Sequence, residues 1–141
     1  MTLVLSPTHV RAIEEHAREA YPEECCGFLV GPPGEPKKVD EVRRATNVVE
    51  SNRARRYVID PREILATERS TAGSGREILG FYHSHPDHPA APSDFDLANA
   101  AWTGYSYLIL SIVDRNPNDL RSWLLDPERK HAKAEILSIT P

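Results

Sequence analysis

The sequence is short of several things, and each shortage removes a class of protein. Its 141 residues include only 2 cysteines, and these are neighbours, Cys25 and Cys26. Adjacent side chains on a strand point to opposite faces, so an ordinary structural disulfide is not expected. A disulfide-stapled secreted scaffold is thereby excluded, and reduced thiols point to a cytoplasmic protein. No apolar run approaches the roughly 20 residues that a membrane-spanning helix needs. The opening MTLVLSPTHVRAIEEH has no basic stretch and only a brief apolar one, so it does not read as a signal peptide. Nor is there a surplus of basic charge: 17 Lys and Arg stand against 21 Asp and Glu, a formal net charge of −4. Nucleic-acid binding needs a basic face, and this balance argues against it. There is no C-x-x-C pair, no internal repeat and no low-complexity segment.

What remains is an ordinary globular composition, 40% hydrophobic and 27% charged. A chain of this size is expected to form one domain, residues 1–141, burying roughly 68–70% of the surface it exposes when unfolded. Ser6-Pro7 reads as a helix start, with Ser as N-cap and Pro at the first helical position. Val10, Ile13, Ala17 and Ala20 or Tyr21 follow at helical spacing until Pro22. Cys25 to Val30 reads as a strand closed by the turn Gly31-Pro32-Pro33-Gly34, and strands are expected over 38–49 and 57–59. Asp60-Pro61 opens a second helix to about Ser70, and Glu77 to His85 reads as a strand. A proline-rich loop leads to a short helix over 94–101. Strands over 107–113, 121–125 and 134–139 complete the pattern, the first two separated by a turn at Asn116-Pro117-Asn118-Asp119. Strands and helices that interleave without strict alternation imply an α/β fold, a mixed sheet flanked by helices.

The chemistry concentrates after Phe81. His83 and His85 are two apart on an expected strand, so both imidazoles leave the same face and can share one metal ion. A catalytic zinc takes three protein ligands and leaves one position open. Asp96, in the first turn of the following helix, is the candidate third ligand. Two histidines and an aspartate suit Zn2+ better than Ca2+ or Mg2+, which prefer oxygen ligands.

The order His83-Ser84-His85-Pro86, then Ser93, then Asp96, resembles the H-x-H-P-x(6)-S-x-x-D signature of the JAMM/MPN+ metalloproteases. Upstream, Pro22-Glu23-Glu24-Cys25-Cys26-Gly27-Phe28-Leu29-Val30-Gly31 is similar to that family's glutamate-bearing stretch, and the match selects Glu24 over Glu23. Asn47 and Tyr57-x-Ile59-Asp60-Pro61 resemble the short stand-alone bacterial members. The resemblance spans about residues 5 to 115. It implies a JAMM/MPN fold similar to that of the zinc deaminases, with zinc on His83, His85 and Asp96. It implies Glu24 as general base toward the water at the metal, and Ser93 as hydrogen-bond donor to the oxyanion. It also implies a peptidase or isopeptidase whose substrate is a ubiquitin-like sulfur-carrier protein, cut after its C-terminal tail.

Each residue has a plainer reading beside this one. Ser93-x-x-Asp96 is a variant of a capping box, which needs no metal, and capping and ligation are compatible. His88 reads as an exposed loop histidine, and His9, His16 and His131 as solvated. Cys25 and Cys26 read as a buried and a partly buried strand residue, with no base placed for either. Trp102 and Trp123 read as packing. Arg43, Arg44, Arg53, Arg55 and Arg56 form a basic cluster, either solvated or attracting an acidic partner or a substrate carboxylate. Three other functions are weighed, one of them a DNA-repair-associated relative, which has a similar HNHP-type motif but usually an added N-terminal nucleic-acid module. A non-catalytic MPN-type interaction scaffold would lack some ligands, whereas all are present here. A zinc deaminase-like hydrolase would need H-x-E followed by P-C-x-x-C, which this chain lacks.

Overall fold

A computed structural model describes residues 1–100, 102–126, 128 and 131–141. Eight strands form one mixed sheet in the order β3-β1-β8-β7-β6-β5-β2-β4. In chain order these are β1 (Thr2–Leu5), β2 (Cys26–Gly31), β3 (Lys37–Lys38), β4 (Glu41–Ala45), β5 (Glu77–Pro86), β6 (Ser106–Val113), β7 (Asn116–Leu125) and β8 (Ala132–Ile139). The helices are α1 (Pro7–Ala20), α2 (Pro61–Thr71) and α3 (Asp94–Asn99). The mixed sheet with flanking helices is the architecture the sequence implied. Among the described residues, no helix is long and apolar enough to cross a membrane.

Each helix begins where its cap says it should. The Ser6 hydroxyl accepts from the His9 N–H at 3.2 Å, and the His9 ring faces back toward Ser6. His9 is therefore a capping partner rather than a merely solvated side chain. Asp60 accepts from the Arg62 N–H at 2.9 Å to start α2. Removing such a cap costs about 1 kcal/mol. Apolar side chains at helical spacing then decide which face of α1 is buried. Ile13 and Ala17 are buried with Leu29, Tyr82, Leu108 and Leu110 on one side of the sheet. On the other side Phe28, Ile59, Phe81 and Tyr107 pack with Ile64 of α2 and Leu97 of α3. Burying a side chain such as Ile13 or Phe28 contributes about 1.5–3 kcal/mol. Close approach fixes one residue outright: a Cβ on Gly27 would lie 2.2 Å from the Tyr82 ring, so β2 packs there only as glycine.

Several boundaries differ from the sequence reading. The strand expected over 38–49 is two, because β3 pairs in parallel with β1 while β4 pairs with β2 on the opposite edge of the sheet. The strand expected over 57–59 reduces to one bridge between Asn47 and Ile59. Asn116 to Asp119 is not a turn but the start of β7. The chain reverses instead at Asp114 and Arg115, with φ of 47° and 68°. Proline and asparagine signalled a turn there, but β6 pairing through Ser111 and Val113 outweighs that signal. The short β1 was not expected at all, and it lies between β3 and β8. The α3 helix ends at Asn99, and the last position expected for it, 101, lies outside the described residues.

What matters for function is the run β5–α3–β6. The two strands are parallel neighbours, so the chain leaves the carboxyl end of β5, crosses over the sheet as loop and α3, and returns. In α/β sheets the carboxyl ends of strands are where ligands bind. Here that end carries His83 and His85.

Candidate metal centre

His83 and His85 project from the same face of β5 as Phe81, and both are essentially inaccessible to solvent. The loop after Pro86 and the first turn of α3 bring Asp96 against them. Asp96 Oδ2 lies 3.1 Å from His83 Nε2 and 2.9 Å from His85 Nε2, and the two nitrogens are 3.0 Å apart. Glu24, just before β2, completes the group. Ligand-type atoms of Glu24, His83, His85 and Asp96 all lie within 4.8 Å of one another, and all four residues are buried.

The capping box also forms, on the same atoms. The Ser93 hydroxyl accepts from the Asp96 N–H at 3.0 Å, and Asp96 Oδ2 accepts from the Ser93 N–H at 3.0 Å. The cap fixes the carboxylate so that one oxygen faces both imidazoles. Capping and convergence on the histidines therefore coexist.

Protonation shows what the arrangement needs. The His85 Nδ1–H donates to the Pro89 carbonyl at 2.6 Å, which leaves Nε2 as the lone-pair nitrogen of the neutral ring. That lone pair faces a carboxylate oxygen and another imidazole nitrogen, a repulsive contact unless positive charge sits between them. Burial lowers the pKa of His83, against the opposing pull of Asp96. Burial alone would raise Asp96, but His83 beside it and the hydrogen bond from the Ser93 N–H hold its carboxyl well below the usual carboxylate range. Neutral imidazoles and an ionised carboxylate are the forms in which these groups bind a metal. Both Glu24 carboxylate oxygens, Asp96 Oδ1 and His83 Nδ1 are buried with no hydrogen-bond partner. Leaving such groups unpaired costs about 1–3 kcal/mol each, and a divalent cation would satisfy the oxygens. Glu24 is pushed up to about 9, first by burial and then by the Asp96 charge, with Arg55 opposing. A dication among the four would favour the ionised form instead. The residues present fit a metal ion.

Rings brace both histidines. Tyr57 stacks on His83 with centroids 4.2 Å apart, and His88 stacks on His85 at 3.9 Å. His88 is therefore not the exposed loop residue the sequence suggested. Its ring is half-buried, its Nδ1–H donates to the Pro86 carbonyl at 2.8 Å, and its Nε2 lies 3.9 Å from Glu24 Oε2. Only the folded loop after Pro86 brings it back over the site. His16 is likewise not solvated. The Tyr82 hydroxyl lies 2.6 Å from His16 Nδ1, and burial followed by the Arg44 charge lowers its pKa to about 4. Cys25 and Cys26 are both fully buried free thiols, which corrects the expectation that one would be partly exposed. Burial raises both thiol pKa values, as suits inert packing residues.

Asn47 ties the upper wall of the site together. Its amide donates to the carbonyls of Glu24 at 3.1 Å and Arg56 at 3.0 Å, while its oxygen accepts from the N–H groups of Val49 and Val58. The Glu24 N–H donates to the Arg53 carbonyl at 2.8 Å. An apolar groove of about 190 Å³ runs from Asp96 between α2 and α3, walled by Tyr57, Ile64, Phe81, Phe95, Trp102 and Tyr107. Trp102 packs on Phe81 but is also 39% exposed, so it lines this groove as well as filling space. Trp123 donates its indole N–H to the Ala90 carbonyl at 3.0 Å and supports the loop.

Comparisons with known proteins agree with this fold. Residues 6–126 match the family described as prokaryotic homologs of the JAB domain. A desampylase from Haloferax volcanii is 36% identical over 104 residues, 71% of this chain and 73% of the relative. A CysO-cysteine peptidase from Mycobacterium tuberculosis is 31% identical over 122 residues, 86% of this chain and 81% of the relative. A JAB1/MPN domain protein from Archaeoglobus fulgidus has the same fold. Its TM-score is 0.60 at 20% identity, over 98% of this chain and 99% of that one.

Proposed function

Because this chain belongs to the family of prokaryotic homologs of the JAB domain, we propose that it is a zinc peptidase or isopeptidase that cuts after the tail of a ubiquitin-like sulfur-carrier protein. The observation that carries this reading is the buried convergence of Glu24, His83, His85 and Asp96, with both Glu24 carboxylate oxygens and Asp96 Oδ1 left without a hydrogen-bond partner. His83, His85 and Asp96 would hold the ion. Zinc bound there would polarise the scissile carbonyl and lower the pKa of water to about 7. Glu24 takes a proton from the attacking water and hands it to the leaving amine, the general acid–base role that contributes typically 10²–10⁴-fold. The Ser93 hydroxyl oxygen accepts from the Asp96 N–H, which leaves its own O–H available to donate to the developing oxyanion. Tyr57 and His88 keep the imidazoles oriented by stacking.

The substrate class follows the named activities of two relatives, a desampylase and a CysO-cysteine peptidase. The narrow groove beside Asp96 supports it, since a walled cleft suits an extended, flexible tail with small residues near the scissile bond. A carrier protein ending in Gly-Gly and extended by one or a few residues, incubated with the zinc-loaded protein, should lose the extension. Mass spectrometry reads the product. An intact tail alongside ready cleavage of polyubiquitin would overturn the substrate assignment and leave the metal chemistry standing.

A further inference from the structure

The segment 53–57 is anchored beside the centre at both ends. The Arg53 carbonyl holds the Glu24 N–H at 2.8 Å. The Arg56 guanidinium lies 4.7 Å over the Phe95 ring, next to Asp96 in α3. Tyr57 stacks on His83. Arg55 lies between these anchors, in a turn closed by its own N–H to the Asn52 carbonyl at 3.0 Å. The five arginines of the cluster fare differently. Arg43 is paired with Glu41, Arg44 with Glu19, and Arg53 donates to the Val49 carbonyl. Arg55 is exposed, and among the described residues it makes no ion pair or side-chain hydrogen bond. Its place in the chain sets it beside the centre, two residues after Arg53, whose carbonyl holds the Glu24 N–H, and two before Tyr57, which stacks on His83. Among the described residues, neither Asp87 nor Glu24 forms an ion pair with Arg55. Asp87 is engaged by the Tyr21 hydroxyl at 2.6 Å and the Asp114 N–H at 2.9 Å, and Glu24 is buried at the centre.

An uncommitted guanidinium beside a hydrolytic centre is suited to a carboxylate, which it can grip through two parallel hydrogen bonds. Resting on the peptidase reading above, we propose that Arg55 binds the free carboxylate of the leaving group. The site therefore favours release of a terminal amino acid or short peptide over release of a lysine side chain in a folded protein. When the leaving group is a single residue, its α-carboxylate is only one carbon beyond the departing nitrogen, so a carboxylate partner has to stand close beside the centre.

The test uses tail peptides ending in Gly-Gly-Ala, as free acid and as C-terminal amide, with the zinc-supplemented protein. Binding is measured to Glu24→Gln, and hydrolysis to the wild type. A charge-assisted contact predicts that the acid binds, and is cut, about 10- to 100-fold better than the amide. Arg55→Ala should erase that difference by weakening only the acid, while Arg55→Lys should restore part of it. Equal binding of acid and amide to Glu24→Gln overturns the proposal. So does an equal loss for both in Arg55→Ala, which would place Arg55 on the body of the substrate or in the chemistry. Cleavage of neither peptide, with an acid preference still seen in binding, would sink the peptidase reading and leave the carboxylate site intact.

Discussion

Among the described residues, two groups of charged side chains are buried, on opposite faces of the same sheet, and they are built in opposite ways. On the α1 face Lys37 donates to the Ser106 hydroxyl at 2.9 Å and lies 3.6 Å from Glu135 Oε2. Glu135 Oε1 accepts from Ser106 at 2.7 Å and Ser122 at 2.8 Å. That group has one cation, one anion and hydroxyls to bridge them, so it balances its own charge. The group on the other face has two carboxylates and two imidazoles but no cation of its own. Buried charge that is paired and hydrogen-bonded serves the fold. Buried charge that stays unsatisfied persists only where the surrounding structure holds it in place and something else completes it. The contrast supports the proposal that the Glu24 group is the functional one, on grounds independent of resemblance.

The comparison can be broken most decisively at the metal. His83→Ala or Asp96→Ala should remove most of about one zinc per chain, and with it the activity and the rise in Tm on adding metal. Elemental analysis and thermal unfolding read both effects. Unchanged zinc in both variants would exclude these residues from coordination. Glu24→Gln is the next largest test. It should keep its zinc and lose about 10²–10⁴-fold in kcat, since the amide has the carboxylate's shape but cannot take the proton. Full activity in that variant would end the proposed mechanism. Ser93→Ala should retain metal and turn over about 10²–10³-fold more slowly, with about 1 kcal/mol of stability lost from the α3 cap.

The self-neutralised group should respond in the reverse sense. Glu135→Ala strands Lys37 in the interior and should cost about 3–5 kcal/mol in urea unfolding, with zinc content and kcat per folded molecule unchanged. Replacing both partners, Lys37→Met with Glu135→Leu, should recover most of that loss. A fall in activity in the double variant would mean that the two faces are coupled. The smallest effect belongs to His16, a half-buried group on the α1 face. Its folded pKa, about 4, lies below its ordinary value of 6.5. The unfolded chain therefore takes up the proton first as pH falls. The His16 contribution is complete above pH 6.5 and is lost progressively as pH drops toward 4. After solvent screening of a half-exposed ring, it amounts to on the order of 1–2 kcal/mol. Comparing urea midpoints of wild type and His16→Gln at pH 7.5 and 5 isolates it. An identical pH slope in the two proteins would show that the ring is not held neutral.

The sequence by itself determined what depends on neighbours along the chain. The spacing of two between His83 and His85 places both on one face of any strand, and Ser93 with Asp96 caps any helix that begins there. Ser6-Pro7 and Asp60-Pro61 likewise start their helices locally, and the mixed sheet followed from the order of elements. Tertiary structure decided what depends on partners far away. Glu24 meets the histidines only because β2 pairs with β5 in the register that sets Cys26 opposite His83. His88 returns over Glu24 only when the loop after Pro86 folds, and His16 is buried only by Tyr82, 66 residues on. The turn at 114–115 and the splitting of 38–49 into two strands were settled by pairing across the sheet, which overrides weaker local preferences. Arginines that look equivalent as a string separate for the same reason: among the described residues four find partners in the folded chain, and Arg55 does not.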